Sequence, residues 1–120
     1  NVMPPAKYWE IWSKTPFGAT AWTHRPLGTM VLSLGYRSGV PWNETHFENA
    51  AFDKALDDAE ATLDVAERKK KMEKVQKIMQ DAAIMVVPLF RPIYTIVNKK
   101  VNGFTGHPTQ YHQFNRVWKA

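Results

Sequence analysis

The side chains best suited to chemistry lie between Phe17 and Asp53, a segment that combines aromatic rings with a His24-Arg25-Pro26 corner and an Asn-Glu-Thr loop. Aromatic rings bind through their faces, and imidazole, guanidinium and amide groups form directed hydrogen bonds. Placed on turns, this combination fits the holding of a small polar ligand better than catalysis. The candidate ligand-binding residues are Phe17, Trp22, His24, Arg25, Trp42 and Asn43.

Patterns typical of catalysis or cofactor binding are weak along the chain. It has no Gly-rich phosphate loop, no nucleophile elbow and no cysteine, so thiolate chemistry, disulfides and cysteine metal sites are excluded. Helical metal sites use histidines four residues apart, and this spacing does not occur among His24, His46, His107 and His112. The carboxylates at helical spacing fit a solvated surface better than an acid–base pair; they are Asp53, Asp57 and Asp58. We therefore predict a protein that is not an enzyme and needs no metal or other cofactor.

Length and composition predict one small folded domain. The chain has 120 residues, of which 44% are hydrophobic and 22% charged, a balance that excludes a disordered polypeptide. Its longest apolar run, residues 84–90, is too short to cross a bilayer. Because the sequence begins at Asn1 without an initiator Met, we expect a mature, processed or excised chain. The lack of cysteine leaves both a reducing and an oxidising compartment open.

The net charge of +5 is concentrated on one expected helix, where the basic residues are Arg68, Lys69, Lys70, Lys71, Lys74 and Lys77. The opposite side of that helix is apolar, so these residues fit a solvated amphipathic face. The alternative is a basic interaction module that binds nucleic acid or an anionic membrane through the face from Lys69 to Lys77. No aromatic residue is interleaved with the lysines to stack on a base, which favours the solvated face and no nucleic-acid partner.

The first half of the chain predicts short elements around a loop. Residues 7–13 are rich in aromatics and predict a strand, on which Trp9 and Trp12 lie on different faces. A helix from Pro26 through Leu34 fits the apolar spacing, with a strand over residues 30–32 as the alternative. Residues 40–46 form a loop, and we expect Arg37 just before it to be solvated.

A helical hairpin follows the loop. Asn49 is the expected N-cap of its first helix, and Asp64 with Glu67 is the expected capping box of its second. The inward residues of the first helix are predicted to be Phe52, Ala55, Leu56, Ala59 and Leu63. Residues 84–90 and 93–98 predict two strands. The tail is apolar, and we expect it to need a partner surface. Its apolar residues are Tyr111, Phe114, Val117 and Trp118.

Five short motifs occur in a fixed order: Asn43-x-Thr45-x-Phe47, Phe52-Asp53, Asp64-x-x-Glu67-Arg68, Gln76-x-Ile78-Met79-Gln80 and Val87-Pro88-Leu89. In this order, and over nearly the whole chain from Lys7, the sequence resembles the C-terminal quarter of the extracytoplasmic solute-binding proteins of ABC importers. The class in question takes dipeptides, oligopeptides, nickel or opines. The resemblance implies a bacterial periplasmic protein that binds a small solute, delivers it to membrane permease subunits and lacks here the N-terminal portion of its parent.

The resemblance also implies an α+β fold, an α/β-like lobe of a two-lobed periplasmic-binding-protein fold in which short β-strands pack with the helical hairpin. Residues 1–106 would be the C-terminal part of one lobe, and residues 107–120 a hinge crossing, from about Gly103 to Pro108, and a tail returning to the absent lobe. We expect this tail to be disordered or to pair with a neighbouring molecule when the lobe is missing.

Peptide binders of this class hold the ligand's ammonium with an Asp four residues before a Pro, and the position that matches it here is Trp22. No carboxylate lies between Glu10 and Glu44, whereas His24 and Arg25 lie in the segment. This departure favours an anionic or hydroxyl-rich ligand, such as an opine-like or sugar-derived compound, over a peptide-like one. Two structural alternatives stand beside the binding roles: the rings of Phe17 and Trp22 as core residues, and an ion pair between Arg25 and Glu44.

Overall fold

Helices dominate the described part of the chain, which comprises residues 2–90, 92–107 and 111–120 of a computed structural model. The elements in chain order are α1 (Pro5–Ile11), a 3-10 turn (Trp12–Lys14), α2 (Gly28–Gly35), α3 (Ala50–Glu60), α4 (Val65–Asp81), β1 (Val101–Asn102), a second 3-10 turn (Phe114–Arg116) and β2 (Trp118–Lys119). They belong to two compact units. The first comprises Asn1–Trp22 and Leu27–Val86, and the second Thr23–Pro26 and Val87–Ala120.

The strand predicted over residues 7–13 is wrong, because this segment is the helix α1 followed by a 3-10 turn. Pro5 begins the helix, where its fixed φ suits the first turn and its missing N–H has no intrahelical partner to lose. The helix also changes the relation of Trp9 to Trp12. A spacing of three places both on one side, and their ring centroids lie 5.6 Å apart instead of on opposite faces.

The helix predicted from Pro26 is confirmed as α2, although it begins at Gly28, and the alternative strand over residues 30–32 is wrong. Its last turn closes when the N–H of Tyr36 donates to the carbonyl of Leu32 at 2.9 Å. Val31 and Leu32 pack against the core formed by the helices that follow.

The predicted hairpin of α3 and α4 is confirmed, with Asn49 and Asp64 as its N-caps. The reciprocal half of the predicted capping box, a bond from the Asp64 N–H to the Glu67 carboxylate, is not formed among the described residues. Asn49 Oδ1 accepts from the N–H of Phe52 at 3.0 Å, and Asp64 Oδ1 accepts from the N–H of Glu67 at 2.8 Å. The carboxylate of Glu67 lies 3.8 Å from Lys71 Nζ. Each cap satisfies an N–H group that has no partner within its own helix.

The core of the first unit is the inner side of α3 with its neighbours. The fully buried large side chains are Phe52, Leu56 and Val75, and the buried small ones on α3 are Ala55 and Ala59. Four of the five inward predictions for this helix are therefore confirmed. The fifth, Leu63, is wrong: α3 ends at Glu60, and Leu63 lies in the following turn, 90% exposed.

The turn between α3 and α4 uses two of the basic residues that gave the helix its charge. Thr62 is buried and donates through Oγ1 to the carbonyl of Asp58 at 2.7 Å. Lys71 Nζ donates to Thr62 Oγ1 at 2.7 Å, and an Arg68 Nη1 donates to the Thr62 carbonyl at 3.2 Å. Arg68 and Lys71 therefore stabilise the fold, which removes them from a freely solvated basic face.

Replacing Asn49 with Ala should lower the free energy of unfolding by about 1 kcal/mol, because the N–H of Phe52 loses its acceptor. Urea denaturation followed by circular dichroism measures this loss. Glu48→Ala is the matched control, since Glu48 is exposed and precedes the cap. Equal stability of Asn49→Ala and Glu48→Ala would contradict the capping role.

Arg37 is not solvated as predicted but bridges the end of α2 to α3. One Nη lies 2.6 Å from Asp57 Oδ1, and the other lies 2.9 Å from Glu60 Oε2. The hydrogen bond to Asp57 raises the pKa of Arg37 further, so the guanidinium stays charged. Asp57 is 62% exposed, and pairs this open to water contribute little, about 0–1 kcal/mol each. The bridge fixes the orientation of α2 more than it adds stability.

The two strands predicted over residues 84–90 and 93–98 are not formed in the described residues. Ile84 and Met85 instead pack against the core of the first unit. The described residues from Val87 to Val97 are exposed and hold large apolar side chains, among them Leu89, Phe90, Ile93, Tyr94 and Ile96. An extended segment becomes a strand only beside another strand, and in the part of the chain that the structure describes no strand pairs with these residues.

The second unit contains a two-stranded antiparallel sheet that pairs Val101 with Lys119 and Asn102 with Trp118. The end of the tail therefore pairs with an earlier segment of its own chain, while its predicted disorder or pairing with a neighbouring molecule stays a prediction. It contributes no buried residue over 111–120, and Trp118 is 60% exposed. The predicted lobe, residues 1–106, and the predicted hinge and tail, residues 107–120, concern a longer protein and stay predictions. Residues 108–110 of that hinge lie outside the described part. Among the described residues no helix has the length and apolarity needed to span a bilayer.

Candidate ligand-binding site

Aromatic rings from three parts of the first unit meet around Trp22. Its ring centroid lies 6.4 Å from that of Trp12, 6.3 Å from that of Tyr36 and 6.0 Å from that of Trp42. Trp12 continues the contacts to Trp9 at 5.6 Å. We call these five rings the aromatic cluster. Tilted and edge-to-face contacts at such distances stabilise aromatic pairs beyond the area they bury.

Glu44 holds the central ring of this cluster by hydrogen bonds. Its Oε1 accepts from Trp22 Nε1 at 3.2 Å, and its Oε2 accepts from Thr20 Oγ1 at 2.5 Å. The hydroxyl of Tyr8 lies 3.0 Å from the same Thr20 oxygen. Hydrogen bonds to an ionised carboxylate are stronger than neutral ones, so Glu44 positions Trp22 from the side of its N–H.

The alternative ion pair between Arg25 and Glu44 would join the two units, so it stays a prediction. Both carboxylate oxygens of Glu44 are bonded within the first unit, whereas an Arg25 Nη1 donates to Thr23 Oγ1 at 3.0 Å within the second. No acidic residue lies between Glu10 and Glu44 in the sequence, but this does not mean that none lies near Trp22 in the folded protein. Folding returns Glu44 to Trp22 across 22 residues, so a negative charge does lie beside the predicted binding residues.

Close packing of Trp22 on α2 depends on Gly35. A Cβ built at this position would lie 2.6 Å from Trp22 Cζ2 and 2.9 Å from Cη2, which is shorter than any ordinary carbon contact. The glycine is therefore required for space, since the indole ring occupies the place of its side chain.

Tyr36 is the most buried ring of the cluster, 5% exposed. Burial, followed by the nearby charge of Glu44, raises the pKa of Tyr36 from 10.0 to about 12, because both disfavour the phenolate. The neutral hydroxyl therefore persists in the folded protein at pH values where an unfolded tyrosine is already ionised.

The raised pKa of Tyr36 predicts a loss of stability at high pH. Between pH 10 and 12 the folded state holds a proton that the unfolded state has released, so the free energy of unfolding falls as pH rises. The contribution is fully present below pH 10 and amounts to about 2–3 kcal/mol by linkage. Urea denaturation of the unsubstituted chain and of Tyr36→Phe across this pH range measures the contribution of Tyr36. We expect the free energy of unfolding to fall less steeply with pH in Tyr36→Phe. Tyr94→Phe changes an 83% exposed tyrosine and should behave like the unsubstituted chain. Identical declines in all three proteins would contradict the assignment.

Asn43 is buried, and the 40–46 loop uses its whole amide group. Its Nδ2 donates to the carbonyl of Phe47 at 2.7 Å and to that of Arg37 at 3.3 Å. Its Oδ1 accepts from Thr45 Oγ1 at 2.8 Å and from the N–H of Phe47 at 3.3 Å. Asn43 therefore shapes the loop that carries Trp42.

The remaining predicted ligand-binding residues are spread over both units. Trp42 is 47% exposed beside Trp22, while Phe17 is 93% exposed and so is not the core ring of the alternative interpretation. His24 and Arg25 belong to the second unit. The ligand-binding roles stay predictions. Sequence reasoning missed the contacts of Glu44 and Gly35 with Trp22. The helical spacing of residues 8, 9 and 12 is the one signal that could have revealed how α1 joins the cluster. Within the described residues no group of acidic or histidine side chains could hold a metal ion.

Comparison with known proteins gives one informative relationship. The chain is 38% identical over 80 residues to the Probable D,D-dipeptide-binding periplasmic protein DdpA of Escherichia coli (strain K12). Part of this chain is related to a periplasmic dipeptide-binding protein. The similarity covers 66% of the chain but 15% of the relative's length, so it relates one region and not two whole proteins. No family model and no solved structure matches the chain.

Proposed function

We propose that this chain is part of a bacterial, extracytoplasmic substrate-binding protein of an ABC importer, which captures a small peptide-like solute and delivers it to membrane permease subunits. The observation that carries the proposal is the 38% identity over 80 residues to a periplasmic dipeptide-binding protein. The aromatic cluster supports the proposal as a candidate binding surface. A binding role needs such a surface and no catalytic group.

The position of Glu44 alters the ligand that the residues favour. The sequence favours an anionic opine-like compound because no carboxylate lies near Trp22 along the chain. In the structure, however, Glu44 Oε1 lies 3.2 Å from Trp22 Nε1. A fixed negative charge disfavours an anionic group beside that ring. Peptide-like solutes are therefore our first choice, with opine-like and sugar-derived compounds as the alternatives.

The exposed apolar segment from Val87 to Val97 supports a longer parent. Its large apolar side chains include Phe90, 94% exposed, and Ile96, 98% exposed, a density that folded proteins normally cover. The chain spans only 15% of its relative's length, and we propose that the rest of the parent protein lies against this segment.

Isothermal titration calorimetry of the protein encoded by the complete reading frame tests the proposal. The ligands are D-alanyl-D-alanine, L-alanyl-L-alanine, octopine and glucose, and we expect binding of at least one dipeptide with a Kd of about 1 μM or lower, or about −8 kcal/mol. Failure of all four ligands to bind a protein that melts cooperatively would overturn the proposal. Genes for a permease and an ATPase beside the reading frame would support it independently.

Salt-dependent binding to random DNA tests the alternative of a basic module. The exposed lysines available for such a role are Lys69, Lys70, Lys74 and Lys77. DNA affinity that falls steeply with salt, and is lost in Lys70→Gln with Lys74→Gln, would favour that module over the transport role. We expect no such affinity, because Lys77 pairs with Asp81 and the face also carries Glu73.

A further inference from the structure

A pocket of about 280 Å³ opens beside the aromatic cluster, between the second half of α2 and the loop that carries Trp42. It is lined by Ser33, Leu34, Val40, Pro41 and Trp42, all within the first unit. Four of these five side chains are apolar, and none is charged. Pockets that enclose a drug-sized ligand measure about 300–1,000 Å³, so this one has the size for a single group of a ligand.

The hydroxyl of Ser33 and the backbone groups of Val40, which lie around the pocket, form hydrogen bonds within the protein. Ser33 donates its hydroxyl to the carboxylate of Glu60, which Arg37 also binds. The N–H of Val40 donates to the carbonyl of Arg37 at 3.4 Å, and its own carbonyl accepts from the N–H of Asn43 at 3.1 Å. The lining is therefore held in place by hydrogen bonds while presenting hydrocarbon to an occupant.

Three of the lining residues remain open to solvent, namely Leu34, Pro41 and Trp42. Leu34 is 40% exposed and Trp42 is 47% exposed. Covering such surface is favourable by about 25 cal/mol for each Å² of apolar area removed from water. A charged group would lose its own hydration here and find no charged partner among these five side chains, whose one uncommitted polar group is the indole N–H of Trp42.

We propose that this pocket binds an apolar side chain of the transported solute, branched aliphatic or aromatic, while Trp42 joins it to the ring of Trp22. The inference rests on the proposed function and adds a substrate class to it. A solute with an apolar side chain is preferred over one of the same backbone that lacks it. The absence of a charged lining residue argues against a second ligand carboxylate or ammonium at this position.

The test is a methyl-NMR titration of the 120-residue chain with two probes, N-acetyl-leucine amide and N-acetyl-glycine amide, which share a backbone and differ in the side chain. We expect the leucine probe to shift the methyl resonances of Leu34 and Val40 and to bind about tenfold more tightly than the glycine probe. Leu34→Asp should abolish the preference. Leu63→Asp, at a 90% exposed leucine outside the pocket, should keep it.

Two further readouts keep the test decisive. Val40→Thr changes the pocket with little change in side-chain volume, so loss of the preference there supports the proposal even if Leu34→Asp unfolds. Equal affinity of the two probes, or shifts at Leu63 as large as those at Leu34, would overturn it. Failure of the pocket is distinguishable from failure of the transport role, because dipeptides would then bind the complete protein in calorimetry without shifting Leu34 or Val40.

Discussion

Phe52→Ala is expected to lower the free energy of unfolding by about 3–5 kcal/mol. Phe52 is fully buried at the centre of the first unit, and its ring meets that of Phe47 edge-to-face at 5.4 Å. Removing the ring deletes its burial and leaves a cavity between α3 and its neighbours. Native domains are stable by only about 5–15 kcal/mol, so this loss would take a large share of the total. Urea denaturation followed by far-ultraviolet circular dichroism measures the change.

The matched control is Phe90→Ala, since Phe90 is 94% exposed. Its replacement should change the free energy of unfolding by less than about 0.5 kcal/mol. Similar losses in the two variants would show that Phe52 does not occupy the core position described, and the packing of the hairpin would have to be revised.

Gly35→Ala should displace Trp22 and separate the aromatic cluster. The added Cβ would lie 2.6 Å from the indole, and the ring cannot yield like the end of a flexible side chain. Overpacking of this kind costs about 1–3 kcal/mol, part of which the higher helix propensity of alanine offsets. The clearer readout is tryptophan fluorescence. We expect a shift in emission as Trp22 moves away from Glu44 and becomes hydrated.

Gly28→Ala provides the control within the same helix. Its added Cβ would make an ordinary contact, 3.8 Å from Met72 Cε, so the substitution brings the helix propensity of alanine without a clash. We expect unchanged emission and equal or slightly higher stability. Unchanged emission in Gly35→Ala as well would contradict the close packing of Trp22 on α2.

The helical hairpin could be predicted because its signals are local. Asn49 and Asp64 each cap a helix through a hydrogen bond to a residue three positions later, and the apolar spacing places Phe52 and Leu56 inward without knowledge of the rest. The prediction of a strand over residues 7–13 is wrong because it rests on the aromatic content of the segment and not on the spacing of its residues. Pro5 and the interval from Trp9 to Trp12 fit a helix equally well, and the contact with Trp22 decides between them.

The site was only partly predictable, because its central interaction is long-range. Trp22 and Trp42 could be chosen as candidates from residue type and loop position, and the structure does bring their rings together. The partner of Trp22 is 22 residues away, and no local pattern in the sequence joins Glu44 to it. A stretch of sequence without acidic residues therefore says little about the charge near Trp22 in the folded protein. The preference for an anionic ligand depended on that stretch, and Glu44 removes its basis.

The contiguity of the core has a consequence for how the chain folds. Helices α2, α3 and α4 follow one another without interruption, and the buried residues come from positions 29–75. Contacts between sequence neighbours require only short loops to close, and proteins dominated by them fold in roughly microseconds to milliseconds. We expect this helical core to form early, before the residues after Val86 acquire any strand partner. Until then the segment from Val87 to Val97 exposes large apolar side chains during synthesis. We expect aggregation of the nascent chain to begin at this segment.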